Sequence, residues 1–427
     1  MAASTLHERI LAEHRELAAV RAAAGAAFQG VLLDAAGVAA LPTARSENWK
    51  YANLRVLEKV RFSPAPPVRD SAAARSALPA AIGGFARIVF VDGRFAAELS
   101  DTLPVAAQLR QGTLAELPAL PGADTDRAFA RIGAAFGAEC LELRAAPHAM
   151  LAVEVVFVTL ADQQRGAAHP QLRIALEPNA TAQLIERHVG HDATATFTNA
   201  QCQVQLGEHA RLDHTRVFAQ GPQGTIIDTL GANLAAGAAY ELQQFSIGGV
   251  AARSTLQIGL GGRGASVALN AAALGSGSGV DDTFALIEHA APQTRTVQNF
   301  RGIATGRSRV ACNGHIVMRS AAIGAASEQS LRALLAGPGA EADLRPQLEI
   351  YTDDVKASHG ATTGKLDEQQ LFYLLSRGIE RDTAEALLKW AFIEDVVARI
   401  GDRALRAQVE QLLAGRLPDL GIPEDAR

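Results

Sequence analysis

The chain has 427 residues and a formal net charge of −5, and no long run of Lys or Arg indicates a nucleic-acid-binding surface. No apolar run approaches the roughly 20 residues of a membrane-spanning helix. The first 25 residues mix acidic and basic side chains and lack the apolar centre of a signal peptide, so we expect a cytoplasmic protein. Hydrophobic residues make up 48% but aromatic residues only 5%, which favours thin, regularly stacked layers around a sizeable core.

The N-terminal part, residues 1–147, is predicted to be a mixed α/β region. Residues 4–25 show an amphipathic helical pattern. Residues 88–95 predict a β-hairpin with an Asp-Gly pair at its turn. Residues 124–136 predict a further helix.

Short strand-like segments dominate from about residue 151, and clear helical periodicity is scarce until about residue 367. An Ala followed four residues later by Leu or His recurs at intervals of 30, 28 and 27 residues: Ala180/Leu184, Ala210/His214, Ala238/Leu242 and Ala265/Leu269. Gly or Asn precedes three of these alanines, and His209 precedes the other. Such spacing is typical of a stacked β-solenoid, with an ordinary β-sandwich as the alternative.

The C-terminal part, residues 357–427, is predicted to be a helical domain. The first helix has a capping-box start signal and a glycine stop signal. The three predicted helices cover residues 367–376, 382–400 and 403–413. The preceding segment, DDVKASHGATTGK, is polar and glycine-rich, so we expect a turn that joins the β and α parts.

Two glycine-rich segments resemble nucleotide-binding motifs without matching them. GATTGKL (residues 360–366) has three residues between its glycines, where a phosphate-binding loop has four, and no hydroxyl group after its Lys. GLGGRG (residues 259–264) is followed by strand-like sequence, whereas the dinucleotide motif needs a helix there. We therefore expect no nucleotide hydrolysis by this chain and interpret the second segment as a tight bend between strands.

The histidines and cysteines form no local metal-binding motif. Two histidine pairs have odd separations, which on a strand would place their rings on opposite faces: His188/His191 and His209/His214. We interpret them as surface or hydrogen-bonded side chains. The three cysteines, Cys140, Cys202 and Cys312, are too few and too widely spaced for a CxxC site or a disulfide framework. We interpret Cys202 and Cys312 as small buried hydrophobes.

His359 differs from the other histidines because it lies in the polar segment near Asp353, Asp354 and Lys356. A neutral imidazole is a good ligand for iron, and a neighbouring carboxylate could fix its tautomer. The residues alone leave a structural histidine in a turn as the alternative.

Three blocks in natural order resemble the SufB/SufD family of iron–sulfur cluster assembly proteins, and its D-type members most: PQLEI (346–350), DDVKASHGATTG (353–364) and LFYLLSRGI (371–379). ENWKYANL (47–54) is a weaker match near the start of the chain. The similarity is specific over the last quarter of the sequence and diffuse elsewhere. It implies a mainly β fold, with a right-handed parallel β-helix core over residues 148–356 between the N-terminal region and the helical domain.

The resemblance also implies a non-catalytic scaffold subunit that works with a SufB-like paralogue and a SufC-like ABC ATPase. The histidine that matches His359 would help a cysteine of the paralogue to hold a nascent iron–sulfur cluster. The family often has a cysteine where this chain has Ala357, so more weight falls on His359 and on the partner. The cluster type, contacts with a flavin or sulfur donor, and homodimer formation by the isolated chain stay open.

A docking surface is predicted on the first C-terminal helix. Phe372, Tyr373 and Arg377 fall outside its apolar face, and aromatic residues with Arg are typical interface anchors. Trp390 and Phe392 are further candidates, with a core position as the alternative for Phe392. The resemblance implies that the C-terminal helices dock the ATPase.

A carbohydrate-active β-helix protein is the alternative function. It would need acidic residues grouped along one face of the solenoid. Asp281 and Asp282 form an acidic pair in the β region, but aromatic residues that could stack on sugars are rare there and a secretion signal is missing. A B-type scaffold is a third interpretation, which the shortage of cysteines disfavours.

Overall fold

The computed structural model describes residues 6–23, 41–43, 45–67, 72–111 and 121–416. Within them, the strands stack into two long sheets in which neighbours run parallel except for one antiparallel pair at the N-terminal end of each sheet, so the chain winds as a β-solenoid. Each coil of the solenoid contributes one strand to each sheet. The predicted mainly β fold, with a mixed N-terminal region and C-terminal helices, is confirmed.

The strands follow one another closely along the chain. They are β1 (Ala86–Val91), β2 (Arg94–Phe95), β3 (Ala107–Gln111), β4 (Glu139–Ala145), β5 (Met150–Thr159), β6 (Gln171–Leu176), β7 (Thr181–Gly190), β8 (Phe197–Leu206), β9 (Arg211–Ala219), β10 (Thr225–Leu234), β11 (Ala239–Ile247), β12 (Ala251–Leu260), β13 (Ser266–Gly275), β14 (Val280–His289), β15 (Arg295–Thr305), β16 (Arg309–Met318), β17 (Ala325–Ala336), β18 (Glu341–Ile350) and β19 (Val355–Gly364). The ten-stranded sheet contains β1, β2 and the odd-numbered strands from β5 to β19. The nine-stranded sheet contains β3, β4 and the even-numbered strands from β6 to β18.

The helices flank the solenoid on both sides. They are α1 (Leu6–Ala23), α2 (Ala72–Ala77), α3 (Ala128–Phe136), α4 (Glu368–Ser376), α5 (Arg381–Val397) and α6 (Arg403–Arg416), with 3₁₀ turns at Glu47–Trp49, Leu54–Glu58, Ala97–Leu99 and Asp124–Arg127. The predicted helices are thus present, although the ends of the 4–25 prediction lie outside the described residues. Among the described helices, none combines the length and apolarity that crossing a bilayer requires.

The core lies between the two sheets, where alternate side chains of each strand face inward. The repeated alanines stack in register across four successive coils, which explains their spacing: Ala180, Ala210, Ala238 and Ala265. The residue before each alanine has a positive φ: Asn179 (62°), His209 (57°), Gly237 (64°) and Gly264 (71°). His209 therefore adopts the same left-handed bend as its Gly and Asn counterparts, a conformation in which His is enriched.

Different regions cover the outer faces of the two sheets. Most of the N-terminal region packs on the nine-stranded sheet, in a cluster that contains Trp49, Phe129, Phe136 and the outward residue Phe197, whereas α2 packs on the ten-stranded sheet through Ala74. The C-terminal helices pack on the ten-stranded sheet through residues such as Ile393 of α5. Because both faces are covered, the strands are rich in apolar residues on both sides, as parallel sheets require.

The sheets extend beyond the range 148–356. β1 and β4 precede residue 148, and β19 continues to Gly364. The change from strand to helix therefore falls after Gly364, just before Asp367, whose side chain accepts hydrogen bonds from the backbone N–H groups of Gln369 and Gln370. That cap confirms the predicted start of the first C-terminal helix.

Candidate functional site

His359 lies on a strand and not in a turn. It occupies the middle of β19, which pairs in parallel with β17 and places His359 opposite Gln329. The expectation of a polar turn was wrong because β17 offers a complete row of backbone partners, which allows a polar, glycine-rich segment to extend. The alternation of Val355, Ala357 and His359 with Lys356 and Ser358 is the period-two signal that could have revealed the strand.

The register of the sheet determines which way His359 faces. One column of opposed residues runs through seven coils and ends at His359: Leu184, His214, Leu242, Leu269, Gln298, Gln329 and His359. The three leucines of this column belong to the inner core. His359 is therefore an inward-facing residue of the last coil, and it is exposed because no described coil follows.

Two glutamines connect this end of the column to the interior. Gln329 Nε2 donates a hydrogen bond to Gln298 Oε1 at 2.8 Å, whereas the buried Gln329 Oε1 has no partner. Gly314, on the facing sheet, provides the space, because a Cβ atom there would lie 2.3 Å from Gln329 Nε2. Polar groups thus line the inside of the solenoid up to the level of His359.

The side chain of His359 has no hydrogen-bond or ion-pair partner among the described residues. The predicted help from a neighbouring carboxylate is therefore not seen: Asp353 and Asp354 precede β19 and contribute backbone carbonyl oxygens that accept from Val355 and Gly324. The imidazole nitrogens remain available to a ligand.

The last coil ends the solenoid with two uncovered strands. β18 and β19 are the outermost strands of their sheets in the described part of the chain. Ile350 and Tyr351, at the end of β18, are 44% and 58% exposed. Open strand edges with exposed apolar side chains are surfaces on which another chain can add its own strands.

A second exposed surface lies on α4. Phe372 and Tyr373 are 72% and 57% exposed, and the guanidinium of Arg377 lies 5.2 Å from the centre of the Tyr373 ring. A groove of about 390 Å³ runs beside them, lined by Gln369, Gln370, Tyr373, Leu374 and Leu388.

The other two predicted docking residues are less exposed than these three. Trp390 is only 7% exposed and packs in the core between α5 and the solenoid. Phe392 is half-buried against the same core. Trp390 is therefore not a surface residue, because the buried face of α5 includes Ala386, Trp390 and Ile393.

A buried ionic network inside the solenoid was missed at the sequence level. Both carboxylate oxygens of Glu186 bond to Arg216, at 2.8 and 3.1 Å, and Arg216 also bonds both oxygens of Asp228, at 2.7 and 2.8 Å. His188 and His214 each contact Glu186, at 2.6 and 3.0 Å. The interpretation of these two histidines as hydrogen-bonded is confirmed: Glu186 lies on the same strand as His188 and one coil away from His214.

Electrostatics keep this network ionised at its centre. Burial alone would raise the pKa of Glu186, but Arg216 and the two histidines outweigh it and hold that pKa well below its ordinary value. Burial lowers the pKa of His214, so its ring is neutral near pH 7. Burial, assisted by Glu186, raises the pKa of Cys202 well above its ordinary value.

Glu186, Cys202 and His214 bring their ligand atoms within 4.8 Å of one another, which is close enough to hold a metal ion. The set is poorly suited to a cation, however, because Arg216 occupies both oxygens of Glu186 and the thiol is protonated. The network is best explained as a structural ion-pair cluster.

The remaining sequence motifs have structural roles. Gly259–Gly264 spans the end of β12 and the bend before β13, so a strand follows it, as expected. Asp281 faces inward to the hydroxyl of Ser246, whereas Asp282 forms an ion pair with Arg253 on the outer face, at 2.5 Å. Both carboxylates are buried on opposite faces of β14, so they do not form the exposed pair that a glycosidase needs.

The comparison with known proteins agrees with this architecture. Residues 157–392 match the family described as "SUF system FeS cluster assembly, SufBD core domain". The iron–sulfur cluster assembly protein SufD of Escherichia coli K12 is 30% identical over 389 residues, which cover 88% of this chain and 90% of that protein.

Two relatives of lower identity also match. The iron–sulfur cluster assembly SufBD family protein slr0076 of Synechocystis is 26% identical over 90% of this chain and 89% of its own length. The chloroplastic protein ABCI7 of Arabidopsis thaliana is 26% identical over 58% of this chain and 53% of its own length. The chain belongs to the SufBD family of iron–sulfur cluster assembly proteins.

Proposed function

We propose that this chain is a SufD-like scaffold subunit in which His359 supplies one ligand to an iron–sulfur cluster during its assembly. The observation that supports this proposal best is an inward-facing imidazole on an uncovered last coil, with both ring nitrogens unoccupied within the described residues. A neutral imidazole binds iron through a nitrogen lone pair. The cluster is the cargo of the scaffold, and the chain performs no hydrolysis.

The other ligands would come from a SufB-like paralogue. The three cysteines of this chain are all buried, and burial raises the pKa of Cys202 and of Cys312 well above ordinary values. A buried, protonated thiol is a poor ligand for iron. At the position two residues before His359, Ala357 provides no thiol. A partner that lays strands against β18 and β19 would bring its own thiolate next to His359.

A SufC-like ATPase would dock on α4. Phe372, Tyr373 and Arg377 form an exposed aromatic and cationic surface beside a groove, which is the composition of interface hot spots. The same helical unit packs on the outer face of the ten-stranded sheet through α5. Movement of the docked ATPase would therefore reach the solenoid, whose last coil carries His359.

The test is anaerobic co-expression of the chain with its SufB-like and SufC-like partners, followed by size-exclusion chromatography and assays of iron and sulfide. His359→Ala should leave the complex intact and lower its iron and sulfide content severalfold. Ser358→Ala, one residue away on the outward side of β19, is the matched control and should keep the parent's content. Phe372→Ala combined with Tyr373→Ala should lose the ATPase from the complex.

Full iron and sulfide content in the His359→Ala complex would remove the ligand role. Loss of complex formation in the same variant would make His359 an interface residue instead. If the chain elutes alone at low salt although both partners are expressed, the scaffold proposal itself fails.

A further inference from the structure

A cleft of about 560 Å³ lies where α2, the outer face of the ten-stranded sheet and α6 meet. Its walls are mainly apolar and come from all three parts of the chain: Ala77, Pro79, Val189, Val217, Leu405 and Leu412. The volume falls within the range of about 300–1,000 Å³ that small-molecule sites occupy. The cleft shares no residue with the last coil or with the α4 surface, so its role is separate from the proposed function.

Arg187 is the charged group that distinguishes this cleft from an ordinary packing gap. It projects from the outward side of β7, and its side chain is only 6% exposed. Its Nη1 donates to Gln408 Oε1 of α6 at 2.7 Å, and its Nε lies 3.0 Å from Glu154 Oε1. Its Nη2 is buried without a hydrogen-bond partner. Buried donors without partners leave the charge of this guanidinium only partly compensated, which is costly.

The charges around Arg187 do not balance. Glu154 is fully buried between two guanidinium groups: it accepts a hydrogen bond from Arg87 Nε at 2.7 Å and forms an ion pair with Arg187. One carboxylate therefore serves two cations, so Glu154 neutralises only one of the two positive charges of Arg87 and Arg187. Burial lowers the pKa of Arg187, Glu154 raises it and Arg87 lowers it again, so a bound anion would stabilise the cationic form.

The other ionisable lining residues lie at the mouth of the cleft. His191 is partly exposed, and Asp192 is exposed. The negative charge of Asp192 is therefore in contact with solvent, where water screens it, whereas Arg187 lies at the buried end. The cleft thus has a cationic base, an apolar middle and a polar rim.

We propose that this cleft binds a small organic monoanion with an apolar body, of the type of a medium-chain carboxylate. The carboxylate would pair with the Arg187 guanidinium on the side of Gln408, where Nη1 faces the cleft wall, and the apolar body would lie between the sheet and α6. A single negative charge matches the one positive charge that Glu154 leaves unneutralised on Arg87 and Arg187. A phosphate dianion would place a second charge against apolar walls.

The test uses the purified full-length chain and titration calorimetry with decanoate, below the concentration at which it forms micelles. Decanoate should bind once per chain, and decanol, which has the same body without the charge, should bind at least about tenfold more weakly. Arg187→Gln should weaken decanoate binding by about tenfold or more. Arg301→Gln is the matched control, since Arg301 is also a buried outward guanidinium that joins the sheet to a C-terminal helix, through Asp395 at 2.5 Å.

The proposal is overturned if decanoate does not bind, if decanol binds as tightly, or if the two arginine variants weaken binding equally. Should Arg187→Gln fail to fold, Ala80→Trp serves as the second variant. Ala80 is an exposed residue of the cleft wall, so a bulky side chain there blocks the cleft without disturbing the core. Decanoate binding that survives this block would place the ligand elsewhere and reject the cleft.

Discussion

The same column of the solenoid holds two histidines in opposite environments. His214 lies in the middle of the column, fully buried, with Nε2 3.0 Å from Glu186 and Nδ1 3.0 Å from the Tyr240 hydroxyl. His359 lies at the end of the same column, exposed and without a partner among the described residues. The backbone position is equivalent, so the difference comes from whether another coil covers the residue.

This contrast explains how one repeated architecture can supply both rigidity and a reactive group. In the middle coils, polar side chains that face inward must find partners, because an unpaired buried charge is costly. In the last coil the same direction opens to solvent or to another chain. A ligand at the end of a column therefore needs no cavity inside the fold.

The largest expected effect comes from breaking the middle of the column. Arg216→Met should reduce the free energy of unfolding by about 3–5 kcal/mol, because Glu186 and Asp228 would remain buried without their common cation. Urea unfolding followed by circular dichroism measures the change. Arg319→Met is the control: its ion pair with Glu288 is half-exposed, and about 1 kcal/mol or less should be lost. Equal losses in the two variants would show that the network contributes no more than a surface pair.

A smaller effect, which depends on pH, is expected at Asp281. Burial raises its pKa from 3.8 to about 7, although the Ser246 hydroxyl opposes this. Because the pKa is raised on folding, the protonated carboxyl contributes stability that is fully present below the pKa of the unfolded chain. This contribution is lost as the pH rises through about 7. Asp281→Asn has no carboxyl to titrate, so only the parent loses this stability. The free energy of unfolding of the variant minus that of the parent should therefore increase by about 2–3 kcal/mol from pH 5 to pH 8.

Ser246→Ala should instead make the stability of the protein more dependent on pH. Without the hydroxyl that donates to the carboxylate, the pKa of Asp281 should rise further, so the variant should lose more stability at pH 8 than at pH 5. Urea unfolding of all three proteins at both pH values measures this. A difference between Asp281→Asn and the parent that stays constant with pH would contradict the assignment.

The solenoid could be predicted from the sequence because small residues recur at equivalent positions of successive coils. Ala180, Ala210, Ala238 and Ala265 mark the same corner of successive coils, and their spacing needs no knowledge of the loops. Position 359 follows the same rule, since Val355 stacks on Ala325 and His359 lies four residues later. Thr294 and then Val355 occupy the alanine position in later coils, which hid the repeat and made the last segment look like a turn.

The ionic network could be predicted from the repeat only in part. Glu186 and Arg216 each lie six residues after a repeated alanine, so the register alone would have paired them. Asp228 belongs to the facing sheet, and its approach to Arg216 depends on the bend between β9 and β10, which no repeat predicts. Burial of Trp390 likewise depends on the angle at which α5 crosses the sheet, so its sequence could not separate a core aromatic residue from an exposed one.

The sharpest test compares the two histidines directly, and it includes the smallest expected effect. His214→Ala should reduce the free energy of unfolding by about 2–3 kcal/mol, because Glu186 and the Tyr240 hydroxyl lose a buried partner and a gap remains. His359→Ala should change it by less than about 0.5 kcal/mol, since the ring is exposed and unpartnered in the described structure. Urea unfolding of the isolated chain measures both. Comparable losses would mean that the last coil is covered in the free protein and that His359 is a packing residue. A lower cluster content in the His359→Ala complex could then not be attributed to lost coordination.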